Sequence, residues 1–335
     1  MAFMYPDVAS LLRANGISAA ESPLGVTGGF SGSSLTSLEQ GGERYILKRM
    51  RSAGDWIMRV TSDTSCREAQ LAASPLLERL PERVRVPSLG ASRDGDGWLL
   101  LMRDISPLML PDDGIVEPRV LQVILRAAAE LHARFWDDPL TDARPWLTGT
   151  RERLLLLSPA TGAALAADGV EFGIVGGWQA FERRTPRDAA RLAARLFADI
   201  TPLLDVLDSL PATLVHGDLK FGNAGIDGDV LWLIDWALAV RAPVAVEIAW
   251  FLGVNSSRLP WPLDDTINSY ALMLDAVLGA ARFESAAWER QRAAIFVCGL
   301  LMYGWGKALD AEAGRPDELR WWCEGAIAGA RTLGL

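Results

Sequence analysis

The chain has 335 residues, half of them apolar, with 33 basic and 42 acidic side chains and a net charge of −9. That balance argues against a general nucleic-acid binder, which needs a dense basic footprint, while the length allows a large core or two lobes. No uninterrupted run of about eighteen apolar residues occurs, the opening MAFMYPDVASLLRANG has no signal-like pattern, and Cys66, Cys298 and Cys323 form no ligand cluster with the two histidines, so the expectation is a reduced, cytoplasmic protein without a membrane or nucleic-acid partner.

The N-terminal part reads as strand-rich with one helix. Residues 25–34, GVTGGFSGSS, are a small, flexible stretch between two candidate strands, and Gly41-Gly42 turns residues 35–38 into 44–48. In such a loop, glycine lets backbone approach phosphate and N–H and Ser hydroxyl groups donate to its oxygens; a plain hairpin turn accounts for the same residues. Lys48 ends the alternating strand RYILK, from which its ammonium can be aimed at phosphates. The segment SCREAQLAASPLLERL predicts a helix through Ala69, Leu71, Ala72 and Leu76, bent or interrupted at Pro75. It carries Glu68, the candidate partner of Lys48, although a surface lysine and an unrelated helix-face glutamate are each common. Residues 86–90 and 97–102 read as the last strands before a polar break at 103–107.

From Val120 onward the pattern is helical, with Leu121, Leu125, Ala128, Leu131 and Phe135 on one face. His132 lies in this helix, where a packed structural histidine is the expectation. At Thr185-Pro186-Arg187-Asp188 a further helix starts, with Thr185 as its cap. The last third of the chain is helical and rich in tryptophan.

The densest chemistry lies in LVHGDLKFGNAGIDGDVLWLIDW, residues 214–236. His216, Asp218 and Asn223 share one short loop, and Asp235 follows an apolar run. Residues 230–234 predict a buried strand and 226–229 a turn, so two antiparallel strands bring Asn223 and Asp235 together. Phosphoryl transfer to a hydroxyl uses such a set: one carboxylate for the substrate proton, and a carboxamide with a second carboxylate for Mg²⁺. A polar hairpin with a capping aspartate is the plainer alternative.

HGDLKFGN followed by LIDW resembles the catalytic and metal-binding motifs of the aminoglycoside phosphotransferase and choline kinase superfamily. The resemblance implies an α+β, protein-kinase-like two-lobe fold: a nucleotide-binding lobe over 1–104, with an antiparallel sheet and a helix, and a larger, mainly helical catalytic and substrate-binding lobe over 105–335. It implies ATP and Mg²⁺ as cofactors, Asp218 as general base, and Asn223 and Asp235 as metal ligands. Lys48, held by Glu68, would meet the nucleotide, as would Gly29, Ser31, Ser33 and Ser34. Main-chain atoms of 101–104, Met102 and Asp104 among them, would face the adenine. His216 would shape the loop. Lys220 stands where protein kinases also carry a lysine, and either stabilises the phosphoryl group or is solvated.

The chain departs from the superfamily pattern in two places. Arg241-Ala242-Pro243 replaces a GxP segment, and Glu247 stands where an aspartate is expected to buttress the catalytic loop. The extra methylene is expected to shift the brace without removing it. A small-molecule acceptor with a free hydroxyl is implied, whether aminoglycoside-like, sugar or amino alcohol. Trp261, Asp264, Asp265, Tyr303 and Trp305 either line its pocket or belong to the core. A catalytically silent, nucleotide-binding scaffold is the rival reading, opposed by the intact set Lys48, Asp218, Asn223 and Asp235.

Overall fold

The computed structural model describes residues 4–24, 31–142, 144–170 and 173–335. Six strands form one N-terminal sheet in the order Met4–Tyr5, Ser88–Asp94, Gly97–Arg103, Glu43–Met50, Ser34–Gln40 and Ser22–Pro23. All neighbours are antiparallel except the first pair. Alternation along the central strands sorts the side chains between two faces. Leu47, Leu99 and Leu101 pack with Leu11 of helix Val8–Ala14. Met50, Trp98, Leu100 and Met102 pack with Met58, Cys66, Ala69 and Ala72, on the side of helices Trp56–Val60 and Arg67–Ala72. Lys48 shares the parity of Met50, so its side chain leaves the strand toward the second face. The helix carrying Glu68 stops at Ala72, ahead of Pro75, and residues 77–79 add one 3₁₀ turn.

The remainder is mainly helical. Helix Pro118–Arg134 buries the expected stripe and His132 with it. Helix Arg187–Ala198 corrects the expected cap by one residue. Its first bond runs from the Ala190 N–H to the Pro186 carbonyl, so Pro186 occupies the cap position and Thr185 lies outside. Helix Ser285–Glu312 is long and apolar enough to cross a membrane by length and composition, yet most of it is buried against Ile174–Arg184, Val244–Asn255 and Asp317–Leu333. Close approach here depends on glycine: a Cβ on Gly299 would stand 2.1 Å from Trp322.

Two small sheets carry the chemical segment. Thr213–Val215 pairs antiparallel with Val240–Ala242, and Ala224–Asp227 forms a hairpin with Val230–Leu233. The strand Val84–Arg85 runs parallel to Val230–Leu233. A piece of chain preceding the polar break at 103–107 is thus built into the sheet beneath the site.

Candidate active site

Lys48 stands between two carboxylates, its Nζ 2.6 Å from Glu68 Oε2 and 2.9 Å from Asp235 Oδ1. Burial by itself lowers an ammonium pKa, but Asp235 and Glu68 outweigh it and hold Lys48 well above the usual amine range. Burial pushes the Glu68 carboxyl up, with Lys48 opposing. Asp235 ends below the usual carboxylate range: burial raises it, and Lys48 more than compensates. Asp235 also has φ of +63°, a left-handed conformation uncommon for a residue with a side chain and one that clusters at functional sites. Neighbouring Arg67 donates to the carbonyls of Trp146 and Ala237, tying the Glu68 helix to the segment after Asp235.

Asp218 sits in the loop between the two small sheets and is 7 % exposed. Its Oδ1 accepts the Trp250 indole N–H at 2.8 Å, while Oδ2 accepts from Lys220 Nζ at 2.8 Å and Asn223 Nδ2 at 2.9 Å. The Asn223 amide also donates to the Asp218 carbonyl, and the Asn223 carbonyl accepts the Ile234 N–H at 3.1 Å, so the loop and the approach to Asp235 are stitched together. Burial opposes the charge on Lys220, but Asp218 prevails and raises it.

His216 is a fully buried loop former. Its Nδ1 accepts the Asp218 N–H at 3.2 Å, which leaves Nε2 to donate to the Ile234 carbonyl at 2.9 Å. Burial lowers its pKa and favours this neutral form. Glu247 reaches the loop despite its extra methylene. Its carboxylate takes the N–H groups of His216 at 2.5 Å and Gly217 at 3.1 Å. Burial raises the Glu247 carboxyl, but the histidines and these donors bring it below its ordinary value. His132 lies behind it at 3.8 Å and bonds Tyr270 through Nδ1, an architectural position.

Mg²⁺ suits this donor set. Asn223 commits its nitrogen to Asp218, leaving its oxygen for a ligand, and Asp235 is 35 % exposed by side chain. Among the described residues no three acids, histidines or cysteines form a metal cluster. Two hard oxygen donors fit Mg²⁺, which prefers oxygen ligands and would be held here by Asn223 and Asp235.

Gly29 lies outside the described residues. Ser31 and Ser33 stand 3.5 Å apart by their hydroxyls, and the Ser31 carbonyl accepts the Trp56 N–H; Ser34 begins the next strand. Met102 is in the last sheet strand. Asp104 donates its N–H to the Arg44 carbonyl and its carboxylate accepts from Arg44 and Ser106, so those groups fasten strand Glu43–Met50 to the turn after Arg103. Asp264 pairs with Arg292 and Trp321, whereas Tyr303 stacks edge-on to Trp250. Trp250, Arg153 and Asn255 (which takes the Phe221 N–H) have no motif that announces them.

The architecture is kinase-like. An amicoumacin kinase, hAmiN, solved with AMP-PNP, Ca²⁺ and Ami, aligns with a TM-score of 0.54 at 12 % identity, over 96 % of this chain and 93 % of that one. An aminoglycoside-3'-phosphotransferase of type VIII gives 0.48 at 17 % identity, over 88 % and 97 %. A choline/ethanolamine kinase family protein from Mesorhizobium loti gives 0.45 at 15 %, over 97 % and 92 %. No curated protein matches the sequence. The family model described as "Phosphotransferase enzyme family" matches residues 25–293, and the chain belongs to that family.

Proposed function

We propose that the protein transfers the γ-phosphoryl group of ATP, with Mg²⁺, to a hydroxyl of a small molecule. The reading is carried by one observation: Lys48 and Asp235, 187 positions apart, meet at 2.9 Å, beside a loop in which Asn223 bonds Asp218. The similar fold of the amicoumacin kinase hAmiN, solved with AMP-PNP, Ca²⁺ and Ami, lends support.

In this mechanism Lys48 is oriented by Glu68 and presents its charge to the α- and β-phosphates. Asn223 and Asp235 would hold Mg²⁺, which when bound supplies positive charge against the phosphate oxygens. Asp218 orients the acceptor hydroxyl and takes its proton. Lys220 now donates to Asp218 Oδ2; moving that contact to the phosphoryl oxygens frees one site on Oδ2, beside the Asn223 bond, for the hydroxyl and places a cation where negative charge grows. His216 and Glu247 keep the loop in shape.

The test is ADP release from Mg-ATP with pooled aminoglycosides, sugars and amino alcohols. Acceptor-dependent release is expected, and Asp218→Asn should lower it by about 10²–10⁴-fold while nucleotide still binds. Undiminished turnover by the variant would remove Asp218 from the mechanism.

A further inference from the structure

A carboxylate that handles a substrate proton must hold its position within a few tenths of an ångström, and Asp218 has one contact with no part in the proposed chemistry. Helix Val244–Asn255 delivers Trp250, 7 % exposed, so that its indole N–H meets Oδ1 at 2.8 Å. The indole is itself clamped. The guanidinium of Arg153, 1 % exposed, lies 4.4 Å from the ring centroid, and Tyr303 closes at 90° with centroids 5.8 Å apart. Arg153 also donates Nε to the Gly217 carbonyl at 2.6 Å, so one side chain grips both the loop and the ring that aims its carboxylate. Lys220 and Asn223 both use the other oxygen, Oδ2.

We infer that Trp250 is a positioning residue for Asp218: its N–H holds Oδ1, which fixes the carboxylate plane and aims Oδ2, where Lys220 gives up its place, at the acceptor hydroxyl. The inference rests on the phosphotransferase reading above. Indole suits the task because it is a neutral, rigid donor.

Trp250→Phe keeps an aromatic ring beneath Arg153 and removes the donor together with part of the ring volume. With Mg-ATP and the acceptor pools above, kcat should fall by up to about 10²-fold, the scale of a small misplacement of a reacting group, with KM for ATP unchanged. A second readout needs no turnover. In protein labelled with ¹⁵N at the tryptophan indoles, the resonance lost in Trp250→Phe identifies Trp250, and it should shift in Asp218→Asn, the other indoles attesting the fold. The inference is overturned if that resonance ignores Asp218→Asn, or if Trp250→Phe keeps wild-type kcat while Asp218→Asn loses it. Full activity of Asp218→Asn, with the resonance still shifting, overturns the reaction reading instead and, with it, the positioning role; the hydrogen bond alone survives.

Discussion

Around Lys48 the close contacts join full charges, whereas around Asp218 all but one come from neutral N–H groups. Lys48 is gripped by Glu68 and Asp235. Asp218 is aimed by an indole and a carboxamide, with Lys220 the exception. The loop beneath it is held by Glu247 on two backbone N–H groups and by Arg153 on a backbone carbonyl. The difference follows from what each region does in the proposed reaction. Ion pairs attract from many directions, so incoming phosphates can replace Asp235 as the partner of Lys48 without rebuilding the strand. Hydrogen bonds to backbone are directional, and they suit a carboxylate that must not move.

The largest stability effect should come from breaking the ion pair. Lys48→Met leaves Glu68, 5 % exposed, without its counter-charge and should cost about 3–5 kcal/mol, the usual range for a widowed buried charge. Lys48→Met/Glu68→Met should recover most of that loss without recovering nucleotide affinity. Urea midpoints at constant m-value read the first effect, and nucleotide titration the second. A single variant as stable as wild type would show that the charges there are independent.

On the other side of the comparison, Glu247→Ala orphans the N–H groups of His216 and Gly217 and should cost about 1–3 kcal/mol. The pH dependence carries a definite sign. The folded Glu247 titrates below its ordinary value of 4.5, so in acid the unfolded chain takes the proton first. The stabilisation is complete above pH 4.5 and is lost as pH falls through the lower folded value. Glu247→Gln should flatten that part of the acid stability curve, and an unchanged curve would mean another carboxylate dominates. The smallest effect belongs to a site in neither network: Leu272, 71 % exposed, should tolerate Leu272→Gln within about 0.5 kcal/mol by thermal unfolding.

The site was legible where chemistry sits close in sequence. His216, Asp218, Lys220 and Asn223 fall within eight residues, and the turn at 226–229 announces the hairpin. The Lys48–Glu68 pair was legible only through the family resemblance, since a strand lysine and a helix-face glutamate twenty residues apart do not by themselves announce a contact. Trp250 and Arg153 were not legible. An apolar ring in a helix buried on every side reads as core, and an arginine whose partners are a backbone carbonyl and a ring leaves no opposite charge in the sequence to pair with. The Thr185 cap missed by one residue because a proline also fits the cap position, where its missing N–H costs nothing.

The amino-acid sequence by itself determined which segments alternate, which are helical and which loop bears the acids, because those are local properties of side-chain period and turn chemistry. Tertiary structure alone decided which backbone N–H groups the Glu247 brace takes, that Asp235 is held at a left-handed φ, and that an indole from a distant helix meets Asp218. The first and the last depend on the separation of two packed elements to within an ångström. That separation is set by the summed volumes of many core side chains, and no short stretch of sequence contains it.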